Sequence, residues 1–254
     1  MKKRKAGIGI FVIVLIITAV RVKSMDSHRI SGRILAENIA GPGMLRLVEQ
    51  SMQAQARKTS VTEIAVKERK HPQAALTFDD GPDIRYTPLL LDGLKERNVR
   101  VSFFLLGEKV EQYPELVERM QKEGHLVGNH TYHHVQLNKL NETKAREEIL
   151  KTNNLIYETT GVYPLYLRPP FGAWKKNLEL CVEMLPVFWT IDTLDWKVQN
   201  TEKIVRTVQE QIEDGAIILM HDEYDTSVEA ALQVVDELKN QGYELVTVAQ
   251  LILP

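Results

Sequence analysis

The sequence has little cysteine, little net charge and no low-complexity tract, and each shortage excludes a class of protein. Its 254 residues include a single cysteine, Cys181, so neither an intramolecular disulfide nor a cysteine-rich zinc module can form. A formal net charge of −2 gives no electrostatic reason to expect a nucleic-acid-binding protein, whose affinity depends largely on phosphate neutralisation. With 44% hydrophobic and 26% charged residues, the chain has the composition of a globular protein with a packed core.

The first 25 residues differ in character from the rest. A basic tip, Met1–Lys5, precedes an uncharged apolar run from Ala6 to Val20, and Arg21 and Lys23 follow it. This pattern is typical of a secretion signal or of an amino-terminal membrane anchor, and the excess of positive charge before the run places that end in the cytoplasm. Because Arg21 and Lys23 interrupt the stretch where a cleavage site should lie, we expect a retained single-pass anchor over residues 6–22. A cleaved signal and a secreted protein is the alternative.

The anchor would be followed by a spacer and an extracytoplasmic domain. Residues 26–72 are polar and charged, and they are predicted to form a stalk, although they could instead pack on the domain. From residue 73 to residue 254, short β-rich apolar runs alternate with helical patterns, which indicates βα units around a parallel sheet. About seven such units without a linker between them favour an α/β fold of the distorted (β/α) barrel type.

The elements expected in this domain can be placed from the periodicity of apolar residues. The predicted strands are Ala74–Phe78, Val99–Leu105, His125–Gly128, Pro164–Leu167, Val187–Ile191, Ala216–Met220 and Tyr243–Val246. The predicted helices are Thr87–Arg97, Pro114–Glu123, Glu142–Thr160, Lys175–Leu185, Thr201–Glu213, Ser227–Gln241 and a last one through Leu253. In parallel barrels the catalytic groups lie at the carboxyl ends of the strands, so we expect functional residues at those positions.

Two adjacent carboxylates, Asp79 and Asp80, follow the first predicted strand in the segment Thr77–Pro82. Each raises the cost of ionising the other, and a metal bound by one of them would relieve that repulsion. Their side chains point in different directions from an extended backbone, so they can take different roles. A turn in which one of them caps a helix is the simpler alternative.

Histidines are concentrated in the segment Gly124–His134, which contains four of the seven in the chain. His130 and His134 are four residues apart, so on one helical turn both imidazoles would face the same point, as metal binding requires. With Asp80 they make two histidines and one carboxylate, the ligand set of a catalytic zinc site that leaves a position open for water. His125 and His133 are expected to be ordinary structural or surface residues.

These motifs resemble those of the polysaccharide deacetylases, the NodB-homology carbohydrate esterases of family 4. Three further segments fit the same family in the same order: Arg168–Gly172, Asp192–Trp196 and Leu219–His221. Asp79, Arg168, Asp192–Trp196 and His221 each follow a predicted strand directly, in agreement with the barrel expected from periodicity. The resemblance covers residues 73–254 and implies a barrel smaller than the eight-stranded form.

The resemblance also implies a reaction and a role for each residue. It implies metal-dependent removal of N-acetyl groups from amino-sugar polysaccharides, with one divalent ion, usually zinc, held by Asp80, His130 and His134. Asp79 would be the general base, paired with Arg168, and His221 would be the general acid, oriented by Asp195. The remaining implied roles are an oxyanion contact from the backbone N–H of Phe171 and an acetyl pocket lined by Trp196 and Leu219.

Several functions stay open at this point. We expect a membrane-bound deacetylase that acts on N-acetylglucosamine of peptidoglycan. This sugar is favoured because position 80 holds Asp, whereas some relatives that act on N-acetylmuramic acid have Asn there. A chitooligosaccharide deacetylase, an acetyl-xylan esterase and a glycan-binding pseudoenzyme are the alternatives within the fold, and a cytoplasmic metal-binding protein is the alternative outside it. Taken singly, Arg168, Asp195 and Trp196 could be structural residues. Neither a nucleic acid nor a protein partner is implied.

Overall fold

The computed structural model describes residues 71–174 and 184–252, all within the compact unit Arg69–Pro254. The predicted anchor over residues 6–22, nearly all of the predicted stalk and most of the predicted helix Lys175–Leu185 lie outside the described residues. No helix within the described ranges is long and apolar enough to cross a membrane.

The described chain alternates strands and helices. Its strands are β1 (Gln73–Asp79), β2 (Ser102–Leu105), β3 (Leu126–Asn129), β4 (Tyr166–Leu167), β5 (Leu185–Pro186), β6 (Ile191–Asp192), β7 (Ala216–His221) and β8 (Glu244–Leu245). Its α-helices are α1 (Tyr86–Glu96), α2 (Gly107–Gln112), α3 (Pro114–Lys122), α4 (Glu142–Thr160), α5 (Asp195–Val198), α6 (Thr201–Gln211), α7 (Asp225–Asn240) and α8 (Val248–Ile252). Two short 3-10 turns occupy Leu137–Lys139 and Pro170–Gly172.

All the strand pairings are parallel, in the order β5-β4-β3-β2-β1-β7-β6. The eighth strand, β8, pairs with the first residues of β1, while β2 pairs with the last residues on the same edge. Among the described residues no pairing joins the two outer strands, β5 and β6. The sheet is therefore a curled, open half-barrel, which confirms the parallel α/β prediction in this form.

The central strand β1 separates two apolar layers. Ala74, Leu76 and Phe78 pack toward the helices in the larger hydrophobic cluster, whereas Ala75 packs with Phe104 in a smaller one. All residues of β1 after the first are buried, as expected for a strand of a parallel sheet that is covered on both faces. Strand alternation then gives Ala75 the same face as Thr77 and Asp79, which carries polar groups toward the carboxyl end.

Helix α4 spans the predicted residues Glu142–Thr160 because both of its ends are specified locally. The side chain of Asn141 accepts a hydrogen bond from the backbone N–H of Lys144, a typical N-cap. Gly161, with φ of 72°, ends the helix in the left-handed conformation that glycine adopts without strain.

For other elements the prediction was incomplete, wrong or displaced along the chain. Helix α2 was not predicted, because its six residues are too short to show an apolar period. The strand predicted over Val187–Ile191 is wrong for most of its length: Leu185–Pro186 forms β5, and Ile191 begins β6. Strand β2 starts at Ser102, three residues later than predicted. Strands of two residues carry too little pattern to be located from sequence.

Candidate active site

The predicted site residues converge at the carboxyl ends of the parallel strands. Asp79 and His221 end β1 and β7 and are direct partners in the ladder between these two strands. Arg168 follows β4, and His130 follows β3. The fold thus brings together residues that are up to 142 positions apart in the chain, at the end of the sheet where parallel α/β proteins bind ligands.

Asp80, His130 and His134 form a group able to hold a metal ion. One ligand atom from each lies within 4.8 Å of the others, and among the described residues this is the one such group. The Nε2 atoms of His130 and His134 both lie 3.4 Å from Oδ1 of Asp80. Two imidazoles and a carboxylate with room for further ligands suit a catalytic divalent ion such as zinc.

The helical turn predicted for the two histidines is wrong. Residues 130–134 form a loop after β3, in which Thr131 and His134 have positive φ values of 67° and 54°. The two imidazoles nevertheless converge on Oδ1 of Asp80. The spacing of four residues therefore identified the two histidines that lie together, although the helical turn assumed for them is absent. Left-handed backbone at non-glycine positions leaves little trace in a sequence.

The environment of Asp80 supports a metal ion. Its Oδ1 is buried and accepts no hydrogen bond within the described part of the chain, although a buried carboxylate oxygen normally has a partner. Burial alone would raise the pKa of Asp80, but the facing imidazoles of His130, His134 and His221 outweigh burial and hold that pKa well below its usual range. The carboxylate is thus ionised and has an unused ligand atom.

His130 is oriented for metal binding by its second ring nitrogen. Its Nδ1 lies 2.6 Å from the carbonyl oxygen of Arg168, which can only accept, so Nδ1 carries the proton and donates it. In the neutral imidazole this leaves the lone pair on Nε2, the atom that faces Asp80 at 3.4 Å. A backbone carbonyl that fixes the tautomer of a ligating histidine is a common feature of metal sites.

Asp79 is paired with a fully buried arginine. Nη1 of Arg168 donates to Oδ1 of Asp79 at 2.8 Å and to Oγ1 of Thr77 at 2.7 Å, and the guanidinium lies 4.3 Å from the ring of Phe104. Burial lowers the pKa of Arg168, and the charge of Asp79 opposes that change. The second oxygen of Asp79, Oδ2, lies 3.7 Å from Nε2 of His130 and so faces the metal group.

His221 is paired with a fully buried aspartate. Oδ1 of Asp195 lies 2.8 Å from Nδ1 of the imidazole, and Oδ2 accepts from the backbone N–H of His221 at the same distance. Burial alone would lower the pKa of His221, but Asp195 outweighs it, with help from Asp79 and Asp80, and raises this pKa to about 9. The imidazolium form therefore dominates at neutral pH, with Nε2 directed toward Asp80 at 3.9 Å from its Oδ2.

The metal group lies in a cleft of about 430 Å³ that also receives the other three predicted residues. Phe171 is 62% exposed, has a φ of 60° and places its ring 4.5 Å from that of His134. Trp196 is 49% exposed, whereas Leu219 is buried on the floor of the cleft. The predicted residues are thus all in or beside one cleft, and Arg168 and Asp195 pair with Asp79 and His221 rather than with each other.

Sequence reasoning missed several residues of this cleft. Trp189, Leu194, Glu223 and Tyr224 line it together with the predicted set. Glu223 and Tyr224 directly follow β7, so the rule about strand ends could have found them. Asp222 was also missed: it is fully buried, its Oδ2 accepts a hydrogen bond from Thr87, and burial raises its pKa to about 7.

The two remaining histidines of the cluster lie outside the metal group. His125 is buried, and its Nδ1 accepts a hydrogen bond from the backbone N–H of Val101 at 3.1 Å. Burial lowers its pKa to about 4, so the ring is neutral. His133 has a side chain that is 59% exposed and contacts Glu148. Both have the structural or surface character expected from the sequence.

Comparisons with known proteins identify the family to which this chain is similar. The family model for polysaccharide deacetylases matches residues 66–188. The peptidoglycan-N-acetylglucosamine deacetylase PgdA of Listeria monocytogenes is 41% identical over 185 residues, which are 73% of this chain and 40% of PgdA. A peptidoglycan-N-acetylglucosamine deacetylase of Bacillus cereus is 36% identical over 186 residues, which cover 70% of this chain and 87% of the relative.

A solved structure extends the likeness to the fold. The structure of the peptidoglycan deacetylase PdaC of Bacillus subtilis has a TM-score of 0.70 and 42% identity, and it covers 72% of this chain and 91% of that one. The whole PdaC is a peptidoglycan-N-acetylmuramic acid deacetylase, of which this chain covers 38%. The chain thus spans about two fifths of the length of PgdA and of PdaC.

These observations define the class of the protein. The half-barrel holds the metal group and two buried charged pairs, Arg168 with Asp79 and Asp195 with His221, at the carboxyl ends of its strands. The chain belongs to the polysaccharide deacetylase family, whose members in carbohydrate esterase family 4 are metalloenzymes.

Proposed function

We propose that this protein is a metal-dependent hydrolase that removes acetyl groups from N-acetylglucosamine residues of bacterial peptidoglycan and releases acetate. One observation carries the proposal: the ligand group of Asp80, His130 and His134 lies between a carboxylate, Asp79, and an imidazolium, His221. Hydrolysis of an amide needs a base for the attacking water and an acid for the departing amine, and these two groups would supply them.

The first half of the reaction would depend on Asp79. When bound, a divalent ion supplies Lewis-acid polarisation of the acetyl carbonyl and lowers the pKa of a water to about 7. Asp79 takes a proton from the attacking water on Oδ2, because Oδ1 already accepts from Arg168. The guanidinium of Arg168, 2.8 Å from Oδ1, supplies the charge that compensates this carboxylate. The backbone N–H of Phe171 would add a hydrogen bond to the developing oxyanion.

The second half would depend on His221. Its raised pKa keeps a proton on Nε2 at neutral pH, and Asp195 holds the opposite ring nitrogen. As the bond between carbonyl carbon and nitrogen breaks, Nε2 gives this proton to the sugar nitrogen, which leaves as a free amine. The acetyl methyl would lie against Trp196 and Leu219, the apolar side chains of the cleft.

Zinc is the proposed metal because two imidazoles and one carboxylate are the ligands it prefers at catalytic sites. N-acetylglucosamine is the proposed sugar because position 80 holds a carboxylate. Relatives of similar identity act on either sugar, PgdA on N-acetylglucosamine and PdaC on N-acetylmuramic acid, so the sugar must be tested directly. Chitooligosaccharides and acetylated xylan remain the alternative substrates, since the same catalytic groups would serve them.

The test is acetate release by the full-length chain from polymeric peptidoglycan, chitooligosaccharides and acetylated xylan in parallel, with zinc and after chelation. We expect zinc-dependent release from peptidoglycan that Asp79→Asn abolishes, and mass spectrometry of the digested glycan should find the free amine on glucosamine. Release from xylan or chitooligosaccharides alone would refute the peptidoglycan assignment. No release from any substrate by folded, zinc-loaded protein would favour a glycan-binding pseudoenzyme.

We further propose that residues 6–22 anchor the protein in the cytoplasmic membrane and leave the catalytic domain outside. The basic tip before an uncharged apolar run supports this, and peptidoglycan lies on the same side of the membrane. Membrane fractionation combined with protease treatment of intact spheroplasts tests it. The domain should be membrane-bound and protease-accessible, and recovery from the cytosol would contradict the anchor.

A further inference from the structure

The backbone conformation of the loop that carries both histidine ligands depends on contacts with neighbouring elements. Within residues 130–134, Thr131 and His134 have left-handed backbone, which costs free energy at non-glycine residues. His130 has a directional support of its own, since its Nδ1 donates to the carbonyl of Arg168. The ring of His134 packs on the rings of His130 and Phe171, which are less directional contacts, so its position depends more on the loop.

Two sets of neighbours fasten the first half of this loop. Oδ1 of Asn129 accepts from the N–H of Thr131 at 2.7 Å. The first N–H groups of helix α2, those of Gly107 and Glu108, donate to the carbonyls of Thr131 and Tyr132 at 2.9 and 3.3 Å. These contacts hold the loop where it leaves β3, and beyond His134 the N–H of Val135 donates to Oγ1 of Thr131 at 3.3 Å. The N–H groups of Tyr132 and His133, between the two ligands, have a different partner.

That partner is Glu148, from the middle of helix α4. Its Oε2 accepts from the backbone N–H groups of Tyr132 and His133 at 3.1 and 2.9 Å, and its Oε1 lies 2.8 Å from Nδ1 of His133. The carboxylate side chain is 16% exposed. Two consecutive N–H groups on one carboxylate oxygen are charge-assisted hydrogen bonds, which are stronger than neutral ones.

We propose that Glu148 is a positioning residue of the metal centre, which fixes the histidine loop so that His134 reaches the point where His130 and Asp80 converge. The inference rests on the metal site of the proposed function. Glu148 touches neither the ligand atoms nor the cleft, and it acts through the backbone between the two ligands. Helix α4 is a rigid support, because it is nineteen residues long and capped at both ends.

Loss of the carboxylate should weaken metal binding. Outer partners of metal ligands change metal affinity by about 10- to 100-fold when they are removed, and we expect a change of this size for Glu148→Ala. Glu148→Gln retains one oxygen for the N–H groups of Tyr132 and His133 and can turn its amide toward the ring of His133. It loses only the charge, so its zinc affinity should fall about threefold to tenfold.

The experiment measures the zinc dissociation constant of the full-length chain by competition with a chromophoric chelator, together with urea unfolding of the metal-free protein. The matched control is Glu147→Ala, which removes the neighbouring, exposed glutamate of the same helix and should bind zinc as the wild type does. The expected order of affinity is wild type and Glu147→Ala first, Glu148→Gln next and Glu148→Ala last.

The outcomes separate this inference from the proposed function. Unchanged zinc affinity in folded Glu148→Ala, even with lower stability, would make Glu148 a purely structural residue and overturn the inference. If Glu148→Ala does not fold, Glu148→Gln decides, and wild-type affinity in that variant would overturn it equally. Failure of the wild type itself to bind zinc would instead refute the metal-dependent function.

Discussion

The two sides of the cleft hold opposite charges by the same means. On one side the carboxylate of Asp79, which lines the cleft, is paired with Arg168. On the other side the imidazole of His221 is paired with Asp195. Both partners are completely buried, and both distances are 2.8 Å. For His221 the buried partner raises the pKa to about 9, and for Asp79 the buried guanidinium supplies the compensating charge.

The comparison teaches how one small site can hold a base and an acid together. Asp79 and His221 end neighbouring strands, and Asp80 lies between them with Oδ2 at 3.9 Å from Nε2 of His221. Without separate partners, an acid and a base so close would exchange the proton and cancel each other's role. Arg168 follows β4 and Asp195 follows β6, which lie on opposite flanks of β1 and β7 in the strand order, so each charged group has a partner of its own.

The largest effect is expected from Asp79→Asn, which breaks the base side. Acetate release should fall by about 10²- to 10⁴-fold, because the attacking water loses its base. The folded protein should also lose about 3–5 kcal/mol, since Arg168 is left as a buried charge without its partner. The measurements are acetate release and urea unfolding.

The matched control for that prediction is Asp92→Asn, which breaks an exposed aspartate–arginine pair with Arg119. Exposed pairs contribute about 0–1 kcal/mol, so this variant should keep both activity and stability. Equal destabilisation of the two variants would show that burial of the arginine partner does not matter, contrary to the comparison.

A smaller effect is expected from Asp195→Asn, which breaks the acid side. The pKa of His221 should fall from about 9, because burial lowers it and Asp195 is the main group that opposes burial. Acetate release should drop by about 10²-fold, since the departing amine finds less imidazolium. NMR titration of the His221 ring in the metal-free protein checks the first result, and an unchanged pKa would refute the assigned role of Asp195.

The same pair predicts a pH dependence of folding. The folded protein keeps a proton on His221 up to about pH 9, whereas the unfolded chain releases it near 6.5, so this contribution is present below 6.5. The metal-free wild type should therefore lose about 3 kcal/mol of stability, at most, as the pH rises from 6.5 to 9. Urea unfolding should find a flatter profile for Asp195→Asn, and parallel profiles would contradict the account.

The smallest effect is expected at the rim, where no buried pair is involved. Trp196→Ala removes an apolar wall of the cleft from a residue that is half exposed, so kcat/KM should fall about tenfold. The free energy of unfolding should change by less than about 1 kcal/mol. Tyr157→Ala, which removes an exposed aromatic residue of α4 outside the cleft, serves as the control. Equal activity of the two variants would exclude Trp196 from the acetyl pocket.

The sequence was informative where a local residue pattern specifies a strand or a helix. Asp79, Arg168 and His221 were placed at strand ends from apolar periodicity alone, and α4 was predicted with the bounds Glu142–Thr160 that the structure has. These signals are local: a buried strand, an N-cap and a glycine C-cap each leave a recognisable residue pattern.

The sequence was uninformative where the structure depends on contacts between distant segments. The left-handed residues Thr131 and His134 lie in a loop that is hydrogen-bonded to Glu148 and α2, and they have no sequence signature. The burial of Asp222 beside Thr87 likewise depends on two segments 135 residues apart. Such groups can be found only once the fold has placed them together.

The central claim is that Asp80, His130 and His134 hold the catalytic metal between the two charged sides. The most direct measurement is the zinc content of the purified full-length chain after dialysis, compared with that of Asp80→Ala. The account predicts about one zinc ion per wild-type chain and almost none in the variant, because a site that loses one of three protein ligands binds far more weakly. Equal zinc content in the two proteins would contradict it.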